Sequence, residues 1–225
     1  AQLLDSTKPA YDVLLDQFEE GLTMEKCDVF FNQLKEVITP LVHRIVTDGK
    51  APRADFLNSR WPIDLQRELS SQIMELMHID RERCILGESE HPFTSGFSKW
   101  DVRITTHFHE DDMASNLYSV VHEGGHSLYE LHLADRLEGT CLADGASMSI
   151  HESQSRLFEN YIGRSLPFVK CIWPLLTALF PEQLKGVTAE QFYKTVNTCQ
   201  PSLIRTESDE VTYCLHIMVR YEIEK

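Results

Sequence analysis

The chain has 225 residues, with 21 Lys and Arg against 35 Asp and Glu, a formal charge of −14, and 42% apolar residues. That length suits one large domain or two small ones with a full core, and the composition lies outside the disordered range. The acidic balance argues against nucleic acid as a partner, and no run approaches the ~18 apolar residues that span a bilayer. Cys27, Cys84, Cys141, Cys171, Cys199 and Cys214 are scattered without a Cys-x-x-Cys pair, so neither a zinc knuckle nor a disulfide framework is expected, and a reducing, cytoplasmic setting is. Ala1-Gln2-Leu3-Leu4-Asp5 has no basic start and does not read as a signal peptide. The missing initiator Met, and a last stretch Glu222–Lys225 that lies within a helical pattern, suggest a piece of a longer chain.

In chain order, the spacing predicts a helix over Tyr11–Glu20 carrying Leu14, Leu15 and Phe18, with Gly21 as its stop. Thr23 should cap a long helix with Phe30, Leu34, Val37, Leu41 and Ile45 along one face, kinked at Pro40 and closed by Asp48-Gly49. Trp61-Pro62 opens another, with Leu65, Leu69, Ile73 and Leu76 recurring at helical intervals. From Cys84 to Phe108 that spacing disappears. Gly87, Pro92 and Gly96 punctuate, and Asp101-Val102-Arg103-Ile104-Thr105 alternates with period two, the signature of a short strand or hairpin. Helical spacing resumes over 112–133, over 147–161, after the capping box Thr188-Ala189-Glu190-Gln191, and near Thr206, where Val211, Leu215 and Met218 would turn inward. Nothing marks an internal boundary, so residues 1–225 are expected to form one region.

His122-Glu123-Gly124-Gly125-His126 is a His-Glu-x-x-His element inside the helix over 112–133. Residues four apart stack on one helical face, so both imidazoles can reach one tetrahedral Zn²⁺, with Glu123 beside the place of a bound water. Two glycines inside a helix cost about 1 kcal/mol each relative to Ala. They admit either a substrate or a closely packed helix. A third ligand is required. His132 lies about 240° around the axis from His126 and cannot share the metal. After the break at Asp144-Gly145, either His151 or Glu152 could point back. His107 and His109, followed by Glu110, also have the look of a metal pair, although loop histidines are more often simply exposed.

Several motifs occur in one order: His91-Pro92-Phe93-Thr94-Ser95-Gly96-Phe97, Asp101-Val102-Arg103-Ile104-Thr105, His-Glu-x-x-His, Ile150-His151-Glu152-Ser153-Gln154-Ser155-Arg156-Leu157 and Ile204-Arg205-Thr206-Glu207-Ser208-Asp209-Glu210. Together they resemble the carboxypeptidase Taq family, the M32 metallocarboxypeptidases, from about Tyr11 onward. The resemblance implies a mainly α fold, a helical zincin-type core with a short hairpin or small sheet beside the active site. It implies Glu152 as third ligand after His122 and His126, with His151 behind it, and Glu123 as the base that takes a proton from the metal-bound water. Zn²⁺ is the implied cofactor, with Co²⁺ or Mn²⁺ able to take the same ligands. Peptides with a free C-terminal carboxylate are the implied substrates. Arg205 would bind that carboxylate, or else form an ordinary ion pair with Glu207 or Asp209. Arg103 and Asp101 would line the substrate strand, or Arg103 would tie Asp101 in place. Tyr213 would donate to the tetrahedral intermediate, or pack in the core.

Chains of that family are about twice this length, with a helical region ahead and a Gly-x-x-Gln-Asp-x-His-Trp element behind. Against the family, then, the chain reads as a part, and two other outcomes stay open: a zinc-binding module without activity, or a zinc endopeptidase. Uncovered apolar surface would favour association, a homodimer being the expected form.

Overall fold

All helices but one form where the three-and-four spacing of apolar residues foretold them in a computed structural model that describes Ala1 and residues 3–225, the Glu207 side chain excepted. Gln2 in the amino-terminal reading and the Glu207 carboxylate at the start of the last helix therefore fall outside the described residues. The chain divides into two compact units.

The first unit comprises Ala1–Ala51, Ser147–Ser149 and Asn197–Lys225. It holds α1 (Ala10–Phe18), α2 (Met24–Asp48) and α8 (Glu210–Glu224). Thr23 caps α2 by accepting from the Lys26 amide, as its position suggested. The Tyr221 hydroxyl, buried between α8 and α2, donates within reach of the Met24 carbonyl (3.0 Å) and Asp28 Oδ1 (2.9 Å), and its ring lies 5.0 Å from that of Phe31. Burial falls on Val13, Cys27, Ile38, Met218 and Tyr221. The predicted apolar faces are only partly buried: Leu15, Leu34 and Ile45 are half-buried, whereas Leu14 and Phe18 of α1, and Phe30, Val37 and Leu41 of α2, are exposed. The last helix begins at Glu210 rather than near Thr206, because the Asp209 carboxylate accepts from the Val211 and Thr212 amides and sets the start there. A single 3₁₀ turn, Arg205–Glu207, precedes it.

The second unit, Pro52–Ala146 with Ile150–Val196, contains α3 (Ile63–Leu76), a three-stranded sheet, α4 (Met113–Leu131), α5 (Met148–Arg156) from Ile150 on, α6 (Leu166–Leu179) and α7 (Ala189–Val196). Its strands are β1 (Cys84–Glu88), β2 (Thr94–Ser98) and β3 (Asp101–Thr106), in the order β1-β3-β2. β3 runs parallel to β1, with Cys84 opposite Val102, and antiparallel to β2, with Thr94 opposite Ile104. Period two puts Val102, Ile104 and Thr106 inside, on α4, and leaves Arg103 on the outer face. Trp61, Leu69, Ile73, Leu117, Val120, Ile172, Leu176, Phe180 and Phe192 fill the core. Within it Asn116 ties three elements together: Oδ1 accepts from Thr106 at 3.0 Å and Ser70 at 3.1 Å, and Nδ2 donates to the Gln66 carbonyl at 3.4 Å. The capping box of α7 forms as its sequence indicated. Among the described residues no helix is long and apolar enough to cross a membrane, and no cysteine is in a disulfide.

Two elements depart from the predicted pattern. α6 was passed over; Ser165 caps it and Pro167 sits in its first turn. The helix expected over 147–161 stays α-helical only to Arg156 and continues as a π-helical segment, Leu157–Gly163, in which the Arg164 amide donates to the Glu159 carbonyl.

Candidate metal centre

α4 is the platform. Asp112 caps it by accepting from the Ser115 amide, so the acidic run before it marks the start of the helix. Leu117, Val120 and Val121 pin it into the core, and the turn between them and the helix end presents His122 and His126. Across from them α5 presents Glu152. Its Oε2 lies 3.2 Å from His126 Nε2 and 3.7 Å from His122 Nε2, and these three donor atoms form the one metal-capable cluster among the described residues. Metal–ligand bonds of about 2.0–2.2 Å in a tetrahedron put neighbouring ligands about 3.3–3.6 Å apart. The donor set therefore fits a first-row divalent ion.

Each residue of the cluster is held from behind, which fixes the atom it turns to the other two. Arg156 Nε donates to Glu152 Oε1 at 2.8 Å, so Oε2 is the oxygen turned to the histidines. His122 Nδ1 meets Glu159 Oε2 at 2.8 Å. Glu159 is held in turn by Arg156 and by Arg164, whose guanidinium lies 4.0 Å from the centre of the Tyr118 ring. His126 Nδ1 meets His151 Nδ1 at 2.6 Å, and His151 Nε2 meets Glu130 Oε1 at 2.6 Å. Burial opposes ionisation of Glu152, yet the hydrogen bond from His126 and the charges of His122 and Arg156 bring its carboxyl down to about 2. Burial also lowers His122, but the Glu159 hydrogen bond and charge outweigh it and the net direction is up.

Glu123 follows His122 in the chain and is nearly fully buried. Thr94 of β2 donates to its Oε2 at 2.6 Å. The paired glycines serve helix packing. A Cβ on Gly125 would stand 2.8 Å from Ser155 Cα, and one on Gly124 would meet the end of Met77 at 2.7 Å.

The other predicted residues are distributed differently. Arg103 and Asp101 bond each other through two contacts of 2.9 and 2.8 Å on the outer face of the sheet, away from α4, with Phe97 under the guanidinium. β3 is the central strand, paired on both sides, so it has no edge to offer a peptide; the sheet's two edges belong to β1 and β2. Arg205 donates to the Tyr213 hydroxyl at 2.9 Å in the first unit. Asp209 is occupied in capping α8. His132 ends α4 with its ring on the Leu128 carbonyl, outside the cluster as its angle required. His107 meets Ser115 Oγ, and His109 is exposed. Thr94, Glu130 and Glu159 were not singled out from sequence. A signal existed for two of them: Glu130 is four residues beyond His126, and Glu159 is seven beyond Glu152, each spacing returning to the same helical face.

A mainly helical unit with a small sheet, in which a His-Glu-x-x-His helix and a carboxylate from a following helix converge on one point, has the build of a metallopeptidase. The model of the carboxypeptidase Taq (M32) metallopeptidase family matches residues 1–225, and the chain belongs to that family, which implies a metal ion. Carboxypeptidase 1 of Bacillus subtilis is 41% identical over 215 residues, which cover 96% of this chain and 43% of the relative. Thermostable carboxypeptidase 1 of Thermus thermophilus is 40% identical over 214 residues, 95% of this chain and 42% of the relative. The crystal structure of an M32 carboxypeptidase from Deinococcus radiodurans superposes with a TM-score of 0.92 at 39% identity, over 95% of this chain and 43% of that one. The chain thus spans less than half the length of the relatives it matches.

Proposed function

We propose that this chain carries the metal centre and general base of a zinc carboxypeptidase, a hydrolase that releases the last residue of peptides bearing a free C-terminal carboxylate. The observation that carries the reading is the approach of Glu152 Oε2 to within 3.2 and 3.7 Å of two imidazole Nε2 atoms, with Glu123 adjoining His122 in the chain. Two imidazoles and one carboxylate match the ligand set of a catalytic zinc site, and Co²⁺ or Mn²⁺ can take the same atoms. Zinc held by His122, His126 and Glu152 would supply a Lewis acid for the scissile carbonyl and bring the pKa of an attacking water to roughly 7.

The protein's own part is proton transfer and alignment. Glu123 takes the proton of the attacking water and passes it to the leaving amine nitrogen. The Thr94 hydroxyl occupies Oε2, which makes Oε1 the oxygen that receives the proton. The free edge of β2, which carries Thr94, suits an extended peptide adding as a further strand. Arg205 is the proposed partner of the terminal carboxylate, since a guanidinium fork matches it with two parallel hydrogen bonds, and Tyr213 steadies that fork.

Glu123→Gln tests the reading, with zinc content and peptide hydrolysis measured on the same samples. One equivalent of zinc should be retained while hydrolysis falls by orders of magnitude. A free-carboxylate peptide should be trimmed and its amidated twin spared; equal cleavage of both would make the activity that of an endopeptidase. A protein that holds zinc yet releases no terminal residue from any peptide would be a binding module, and the catalytic reading would fail.

A further inference from the structure

We propose that Glu130, acting through His151, is a positioning residue that fixes the tautomer and orientation of His126. The inference rests on the metal-centre reading above. It starts from proton bookkeeping along one line of atoms: His126 Nδ1 to His151 Nδ1, then His151 Nε2 to Glu130 Oε1, both 2.6 Å. A contact between two ring nitrogens holds one proton. An imidazole that ligates through Nε2 keeps its proton on Nδ1, so His126 donates and His151 Nδ1 accepts. His151 then carries its single proton on Nε2, where the Glu130 carboxylate accepts it. Without that acceptor nothing holds His151 in this tautomer. In the alternative it would present an N–H to His126, which would have to accept at Nδ1 and carry its proton on Nε2, the atom needed for the metal.

Two further observations support the assignment. The Glu130 side chain is only 11% exposed, and a carboxylate that deep in a fold requires a partner; among the described residues that partner is His151. The edge strand is also shaped to admit it: a Cβ on Gly96 of β2 would lie 2.4 Å from Glu130 Oε2 and 2.7 Å from its Cδ. The glycine keeps open the space the carboxylate occupies, so β2, α4 and α5 meet at this point. Tyr129 lies 4.8 Å from the His151 ring and limits its rotation.

The arm is tested with the unsubstituted protein, Glu130→Ala, Glu130→Gln and Gly96→Ala. Zn²⁺ affinity is read by competition with a chromophoric chelator, and ligand geometry from the visible spectrum of the Co²⁺ form. Glu130→Ala should weaken zinc binding by about 10–100-fold, the range for losing such a supporting contact. Glu130→Gln, whose amide oxygen still accepts from His151, should retain most of the affinity. Gly96→Ala displaces the carboxylate without removing it, and should weaken binding and alter the Co²⁺ spectrum even if Glu130→Ala fails to fold. If the variants lose only metal-free stability, while Gly96→Ala keeps the affinity and spectrum of the unsubstituted protein, the inference is wrong and the metal-centre reading stands. Failure of the unsubstituted protein to bind zinc would overturn both.

Discussion

Adjacent glycines in α4 should respond oppositely to the same added methyl group. In Gly125→Ala the new Cβ would sit 2.8 Å from Ser155 Cα, 3.1 Å from the Gln154 carbonyl oxygen and 3.2 Å from Phe158 Cβ. Carbon atoms in ordinary contact stand about 3.5–4.0 Å apart, so α5 must retreat by roughly 0.7 Å, and its backbone has no rotamer to yield. Overpacking of this kind costs about 1–3 kcal/mol, offset by about 1 kcal/mol of helix propensity. The net expectation is a loss of up to about 2 kcal/mol. The same retreat carries Glu152 away from the histidines, stretching the 3.2 Å separation from His126 beyond the edge of a tetrahedral zinc site, about 3.3–3.6 Å. Gly124→Ala meets Met77 Cε at 2.7 Å and Sδ at 2.9 Å, with Ile79 Cδ1 at 3.1 Å. These are the ends of side chains, and methionine is the most adaptable of them. That variant should keep its zinc affinity and lie between unchanged and about 1 kcal/mol more stable. Urea unfolding of the metal-free proteins, together with chelator competition, measures both quantities. A Gly125→Ala protein as stable and as tight for zinc as Gly124→Ala would refute the packing argument.

Glu159→Ala should cost about 3–5 kcal/mol in metal-free stability, the penalty for breaking a buried ion pair, because it strips partners from His122, Arg156 and Arg164 at once. A loss below about 1 kcal/mol in urea unfolding would contradict that. Thr94→Val removes the hydroxyl that holds Glu123 and leaves the ligands alone; zinc affinity should be unchanged while kcat drops roughly tenfold or more, the equivalent of one hydrogen bond to a charged group. A fall in zinc affinity would place Thr94 elsewhere in the site. The raised pKa of His122 gives a signed pH dependence. In the metal-free protein its stabilising share is complete below the unfolded value of about 6.5 and is lost as pH rises through the folded value. Zinc affinity runs the other way, since the ligand must shed its proton. Metal-free stability that increases through that interval would show another group to be dominant.

The His-Glu-x-x-His helix was legible because its pattern is local. His122 and His126 stack through the pitch of one helix, whatever surrounds it. The third member of the cluster was less so: spacing left His151 and Glu152 as alternatives, and in the structure Glu152 faces the two histidines while His151 lies behind His126. The supporting carboxylates Glu130 and Glu159 lie at helical intervals from His126 and Glu152, but those intervals look the same for any solvated acid. Thr94 reaches Glu123 from another element, a contact that no periodicity within β2 reports. The period-two run of β3 correctly separated Val102 and Ile104 from Arg103. Its central place in the sheet depends on β1 and β2, which the alternation within β3 does not report.

Periodicity specifies that a face exists and leaves open what covers it. Phe30, Leu34, Val37, Leu41 and Ile45 do share one side of α2, yet Phe30, Val37 and Leu41 are exposed, and burial falls on the flank of that stripe, where Cys27 and Ile38 lie beside the half-buried Leu34 and Ile45. α6 presents the reverse difficulty. Its run Leu166–Leu179 is apolar on nearly every side, with prolines at 167 and 174, so it has little amphipathic contrast to detect although Val169, Ile172 and Leu176 are core residues. The π-helical turn is harder still, because a one-residue change of register in the hydrogen-bond ladder has no compositional mark. Leu157–Gly163 reads as ordinary helix until the Arg164 amide is found on the Glu159 carbonyl. That register sits between the residue supporting His122 and the arginine holding it, so the segment least visible in the sequence is the one that fixes how firmly His122 is held.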